Sequence, residues 1–172
     1  MNYFELFGLV EGFELDTRQL AETYRQLQTQ FHPDRFATAP EREQLAAVQR
    51  AAQINDAFTT LKAPLRRAEY LLSLRGTELR GEQQTLQDTA FLMQQLEWRE
   101  RLADLKGETD PERAIKDFRR EIRHDHQLLM QQLTQALATG EDPRAADCVR
   151  KLKFVDKLLE ELERFEDSLF ES

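Results

Sequence analysis

A proline set between two helical stripes, Pro33, constrains the N-terminal part of this chain more than any other residue. Ahead of it Leu20, Tyr24, Leu27 and Phe31 recur at helical spacing, with Asp16 and Gln19 placed as a capping box at the start. A helix is therefore expected from about Thr17 into the loop. Pro33 cannot continue that helix, because it lacks a backbone donor and disfavours helical geometry at His32. Beyond it, Ala47, Ala51, Ile54, Phe58 and Leu61 form a second stripe, and Thr38-Ala39-Pro40-Glu41 offers a cap and a proline near the first turn. The two stripes are expected to zip together as an antiparallel hairpin. His32-Pro33-Asp34 would sit at its tip, with the side chains of His32 and Asp34 held outward.

A rigid, exposed pair of polar groups is suited to recognition. Catalysis is a poor fit, because no serine, cysteine or glycine-rich phosphate cradle lies close to His32 and Asp34 in sequence. No catalytic residue is expected. Metal binding fares no better: His124 and His126 are two apart and point to different sides of a helix, unlike a pair spaced by four. His126 falls in the gap of an apolar stripe and reads as a partly buried structural histidine. Cys148 is the only cysteine, which excludes an intrachain disulfide and a cysteine-based zinc knuckle. It shares a stripe with Leu152, Val155, Leu159 and Leu162, so a buried core thiol is expected. No metal site and no cofactor follow from these residues.

Hydrophobic residues make up 40% of the chain and charged residues 33%, which fits a helix-rich globular protein and neither a disordered chain nor a membrane protein. The net charge of −8 is uneven: residues 1–75 hold 9 Lys and Arg against 10 Asp and Glu, and residues 76–172 hold 15 against 22. So acidic a C-terminal part argues against nucleic acid as a partner, which needs a basic footprint. No apolar run approaches the roughly 20 residues that span a bilayer, and the N-terminus lacks a signal-peptide pattern. A cytoplasmic location, with no membrane partner, is expected.

After Pro64 a short apolar helix is expected over Leu65–Leu74, and Gly76 and Gly81 bracket a polar stretch. Three longer helices follow: from about Gln84 to Leu105, from the start signal Asp110-Pro111, and from Asp142-Pro143 to about Leu169. Short connections favour an antiparallel three-helix bundle. The fold class is all-α, with a helical hairpin in residues 1–75, a junction over 76–83 and the bundle over 84–172. The first bundle helix carries two apolar faces. Phe91, Trp98, Leu102 and Leu105 share one; Leu92, Met93 and Leu96 share another, edged by Glu97 and Glu100. The second face is either wedged against a neighbouring helix or an exposed binding patch.

Three groups of residues carry a family resemblance. His32-Pro33-Asp34 follows Asn2-Tyr3-Phe4-Glu5-Leu6-Phe7-Gly8-Leu9 and precedes Ile54-Asn55-Asp56-Ala57-Phe58-Thr59-Thr60-Leu61, an order that resembles a J-domain, the module by which co-chaperones engage DnaK-class ATPases, and that implies a short opening helix over the first of these segments. One departure is that the expected basic face is sparse: Arg18 and Arg25 share the second helix with Glu22, and Arg35 lies just beyond. Arg67-Ala68-Glu69-Tyr70-Leu71-Leu72 and Asp88-Thr89-Ala90-Phe91-Leu92-Met93 are in turn similar to the HscB family, the J-proteins of iron–sulfur cluster assembly, and that resemblance runs over essentially the whole chain. It implies a non-enzymatic adaptor that stimulates the ATPase of a DnaK-class chaperone of the HscA type and presents to it an iron–sulfur scaffold of the IscU type. It also implies roles: His32, Pro33, Asp34, Arg18, Arg25 and Arg35 toward the chaperone, and Leu92, Met93, Leu96, Glu97, Glu100 and Phe154 toward the scaffold. Leu158 and Phe165 lie nearer the core stripe. Two rivals are a general J-protein that captures unfolded clients and a metal-dependent enzyme using His32 and Asp34, or an iron carrier in its own right.

Overall fold

The computed structural model describes residues 1–79 and 88–171, and among them every regular element is a helix. The chain packs as two compact units, Met1–Gly76 and Thr77–Ser172. Much of the expected junction, with Gly81 and the expected helix start at Gln84, lies outside the described residues.

The first unit holds α1 (Tyr3–Leu6), α2 (Thr17–Phe31), α3 (Glu41–Lys62) and α4 (Pro64–Leu74). Asp16 caps α2, its Oδ1 accepting the backbone N–H groups of Arg18 and Gln19 at 3.0 and 3.2 Å. The α2–α3 hairpin is antiparallel: Tyr24 stacks on Phe58 with ring centroids 3.9 Å apart, while Phe31, two turns on, meets Arg50 further back along α3. Leu20, Ile54, Ala57 and Leu61 are buried between the helices, and Phe4, Leu71 and Leu72 close the core from α1 and α4. Tyr70 ties α4 to α1: its ring stacks on Tyr3 at 4.5 Å and its hydroxyl accepts the Tyr3 N–H at 2.9 Å. Burial pushes its phenol above the usual tyrosine value. Arg67 is buried too, donating to the Leu61 carbonyl at 2.8 Å and lying over Phe13, and desolvation lowers its pKa.

The expected start of α3 needs correction. Pro40 stands beside the first turn, as the N-cap with an extended ψ of 152°, but no side chain caps the helix. Thr38 therefore sits too early to reach the first turn. Gln44 binds the preceding loop instead, donating to the carbonyls of Ala37 and Ala39 at 3.0 and 3.1 Å.

The second unit is an up-down-up bundle of α5 (Thr89–Asp104), α6 (Pro111–Ala138) and α7 (Asp142–Phe170). Asp110 caps α6 as its Asp-Pro signal predicts. The second Asp-Pro signal is displaced by one residue: Glu141 is the N-cap of α7 and Asp142 opens the helix, with no side-chain cap. The cause is the preceding turn. Gly140, at φ +76°, lets the Glu141 N–H return to the Ala136 carbonyl at 2.9 Å, which makes Glu141 the first residue free to begin a new helix.

Cross-helix pairs define the directions. Arg119 meets Glu166 and His126 meets Asp156, so α6 and α7 run antiparallel. Asp88 meets Lys151 and Arg99 meets Glu161, so α5 and α7 run parallel. Phe91, Trp98, Leu105, Phe118, Val155 and Leu158 belong to one continuous core. Nearer the α6–α7 turn Cys148 is buried with Leu152, and burial pushes its thiol above the ordinary value. Gln95 interrupts the buried face of α5; its side-chain nitrogen and oxygen are both buried without a hydrogen-bond partner.

Trp98 is 3% exposed and meets Phe118 edge-on at 6.3 Å. Trp98→Ala should therefore cost about 3–5 kcal/mol of stability in a denaturant melt. A loss under about 1 kcal/mol would place the core of α5 elsewhere.

Candidate functional site

The tip of the first unit is built by Pro33. His32 leaves the helix in an extended conformation (φ −61°, ψ 131°), and a single 3-10 turn over Pro33–Phe36 carries the chain round. His32 caps that turn: its Nδ1 accepts the Asp34 N–H at 3.2 Å. The His32 Nδ1 and the Asp34 carboxylate are 3.6 Å apart, and the two side chains are 58% and 91% exposed. Both point into solvent, as expected. Among the described residues no group of three or more His, Cys, Asp or Glu is arranged to hold a metal ion.

The three arginines are placed unequally. Arg18 and Arg25, seven residues apart, lie on one exposed face of α2, separated by roughly 10 Å along its axis. Arg25 and Arg35 come together, lining one shallow depression with Gln26, Thr29 and Gln30. Arg35 also has a local task, since its guanidinium donates to the Thr29 carbonyl at 3.2 Å and so satisfies the C-terminal end of α2. A groove opens on the α3 side of the tripeptide, between Gln28, Thr29, His32, Pro33, Ile54 and Asn55. Tyr24 braces it: its hydroxyl donates to the Asn55 side chain at 2.7 Å and accepts from Gln28 at 2.8 Å. Sequence spacing identified Tyr24 only as an apolar stripe member.

The second unit presents an apolar surface on α5 and α7. Leu92, Met93 and Leu96 are 38%, 54% and 59% exposed and Phe154 is 44% exposed, with Glu97 and Glu100 also in solvent. Leu158, by contrast, is fully buried. Phe154 reaches α5 through an edge contact with Phe91 at 6.2 Å, the residue that precedes Leu92 in the chain.

Spacing did not reveal the group that holds this junction together. Asp88 caps α5 with one carboxylate oxygen, accepting the Phe91 N–H at 3.0 Å, and accepts from Lys151 Nζ with the other at 2.8 Å. The Lys151 ammonium also stands 5.6 Å from the Phe91 ring centre. The expected helix start at about Gln84 needs correction here: it placed Asp88 inside the helix, whereas the extended backbone of Asp88 (φ −75°, ψ 97°) and its bond to the Phe91 N–H make it the N-cap and Thr89 the first residue of α5. The partner of Asp88, 63 residues away, leaves no local signal. His126 likewise pairs with Asp156 at 3.0 Å, whereas His124 is exposed.

The hydrogen bond from Lys151, then that from the Phe91 N–H, holds the Asp88 carboxyl below the ordinary aspartate range. A carboxyl depressed on folding stabilises fully above its unfolded value, about 3.9, and that stabilisation is lost as pH falls through the lower folded value. An NMR titration should give Asp88 a midpoint below about 3.9 in the parent and a higher one in Lys151→Met. Identical midpoints would mean that the ion pair is absent in solution.

No helix among the described residues is long and apolar enough to cross a membrane. A family model described as the HSCB C-terminal oligomerisation domain matches residues 87–163. The chain is 99% identical over 172 residues to the co-chaperone protein HscB homolog of Aeromonas hydrophila, covering 100% of both chains. Its fold is similar to that of the chaperone HscB from Vibrio cholerae, with a TM-score of 0.93 at 56% identity, covering 98% of this chain and 99% of that one. The human co-chaperone protein HscB is also similar, with a TM-score of 0.88 at 28% identity over 96% of this chain and 82% of that one. With identity of this order over the whole chain and a fold matched over nearly all of it, this chain belongs to the HscB family of co-chaperones.

Proposed function

We propose that this protein is an adaptor of iron–sulfur cluster assembly in the cytoplasm, which binds an IscU-type scaffold and delivers it to a DnaK-class chaperone of the HscA type while stimulating that partner's ATPase. Residues 1–75 act as the J-domain. Residues 84–172 bind the scaffold. The observation that carries this division is the group of four large apolar side chains left in solvent on α5 and α7, in a chain whose other unit exposes the His32-Pro33-Asp34 tip.

On the chaperone side, Arg18, Arg25 and Arg35 steer the tip toward an acidic surface, and His32, Pro33 and Asp34 make the contacts that matter for hydrolysis. Steering alone does not accelerate a reaction, since only contacts stronger in the activated state do so. A basic face of three arginines offset by Glu22 favours a partner chosen by the tripeptide contacts rather than by long-range attraction. The hydrolytic machinery belongs to the chaperone.

On the scaffold side, Leu92, Met93, Leu96 and Phe154 supply the buried contact area, and Glu97 and Glu100 select against partners of the wrong charge. A large apolar side chain that passes from water to a full contact contributes roughly 1.5–3 kcal/mol. These four are 38–59% exposed before docking, so each contributes only part of that. Once the cost of association is deducted, these four fall short of the about −8 kcal/mol of micromolar-class binding by themselves, so contacts around them supply the rest and the complex stays weak enough for a delivery protein that must also let go. Carrying both contacts on one chain raises the effective concentration of scaffold at the chaperone.

Two variants separate the halves of this reading in one assay of chaperone ATPase with and without scaffold. His32→Gln should fold as the parent does and lose stimulation under both conditions, while retaining scaffold affinity. The Leu92→Ala, Met93→Ala, Leu96→Ala triple should keep stimulation without scaffold, lose the scaffold-dependent increment and lose on the order of 100-fold in scaffold affinity. Undiminished scaffold binding by the triple, or its replacement by binding to unfolded polypeptides, would favour a general client-capturing J-protein instead.

A further inference from the structure

The docking surface just proposed is split between two helices, so its shape depends on the register of α5 against α7. Two cross-helix ion pairs bracket it. Asp88–Lys151 precedes the exposed apolar residues on both helices, and Arg99–Glu161 follows them on both. Between them Phe91, Trp98, Val155 and Leu158 pack the seam, but its apolar surface is not continuous. Gln95 lies there on the buried face of α5, and its side-chain amide atoms have no hydrogen-bond partner, so the packing between the brackets carries an uncompensated polar group.

The Asp88 end is the better constructed of the two for positioning. Its carboxylate acts twice, on the first turn of α5 and on α7, and although Asp88 itself is 43% exposed, its partner Lys151 is 19% exposed and held in place against the helices. Lys151 lies one turn before Phe154, and its ammonium stands over Phe91, the ring that Phe154 meets edge-on. Any slide of α5 along α7 must break the Asp88–Lys151 bond and pull Phe91 from beneath the ammonium together.

We propose that Asp88 and Lys151 are positioning residues for scaffold recognition: the pair clasps the start of α5 to α7 and presets the relative placement of Leu92, Met93 and Leu96 on one helix and Phe154 on the other. This inference rests on the scaffold-binding reading above. Preset geometry spares the partner the cost of ordering its site, so the clasp acts on affinity without touching the scaffold.

The test is a double-mutant cycle on the full-length protein, titrated calorimetrically with purified, cluster-free scaffold. Asp88→Asn keeps a good N-cap and removes the charge, and Lys151→Met keeps the aliphatic stem over Phe91 while removing the ammonium. Each single variant should bind on the order of three- to tenfold more weakly, and the double variant no more weakly than the worse single, because both remove one interaction. Lys151→Arg should recover affinity to within about twofold, a rescue that a general loss of packing does not produce. Amide exchange over residues 89–96 should speed up in Lys151→Met and return in Lys151→Arg. Should Lys151→Met unfold, Lys151→Gln takes its place in the cycle. Parent affinity in both single variants, or losses that multiply in the double, would overturn the clasp. If the clasp variants bind normally while the triple alanine variant of α5 does not, the clasp alone is wrong; if the triple also binds normally, the docking surface is wrong and the clasp falls with it.

Discussion

The C-terminal unit depends on the antiparallel pairing of α6 and α7. These helices, of 28 and 29 residues, are joined by a turn that only a left-handed residue makes so tight, and Gly140 supplies it. Together they form a platform whose apolar stripes, from Ile115 to Leu137 and from Ala145 to Leu162, are buried along most of their length. Helix α5 is shorter, at 16 residues, and packs on that platform with one face. Phe91, Trp98 and, at its end, Leu105 satisfy that face. Leu92, Met93 and Leu96 then have no core to enter, because at about 100° per residue they project away from the platform. The exposed apolar surface is thus a consequence of giving one short helix two apolar faces and the platform room for only one.

The N-terminal unit applies a different constraint to a similar end. Pro33 stops α2, the 3-10 turn reverses the chain, and the pairing of Tyr24 with Phe58 and Asn55 holds α2 against α3. The tripeptide is left in solvent with its backbone geometry fixed by a proline ring and by the His32 cap. In both units a well-packed helix pair presents a small, rigid surface whose polar or apolar groups are not consumed by the fold.

Much of this was legible in the chain. Among the described residues spacing located six of the seven α-helices, because their apolar periodicity is long and their ends carry Asp, Pro and Gly signals; the short α1 came from the family resemblance. The two faces of α5 were equally plain, although periodicity could not say which would meet the platform. Three features were out of reach for physical reasons. Asp142-Pro143 and Thr38-Ala39-Pro40 promised side-chain caps that neither helix makes, since the chain reversal before each helix decides which residue is first free. Gln95 breaks an otherwise apolar stripe, a position that spacing alone would give to a leucine. The Asp88–Lys151 pair joins residues that only tertiary packing brings together.

Amide hydrogen exchange on the full-length protein tests most directly whether one chain carries two separate docking surfaces. Measured alone, with cluster-free scaffold and with ATP-bound chaperone, exchange should slow over residues 89–97 and 151–158 when scaffold is added and leave residues 18–36 unchanged; chaperone should give the reverse pattern. Scaffold protection confined to residues 18–36, or chaperone protection confined to α5 and α7, would contradict the account.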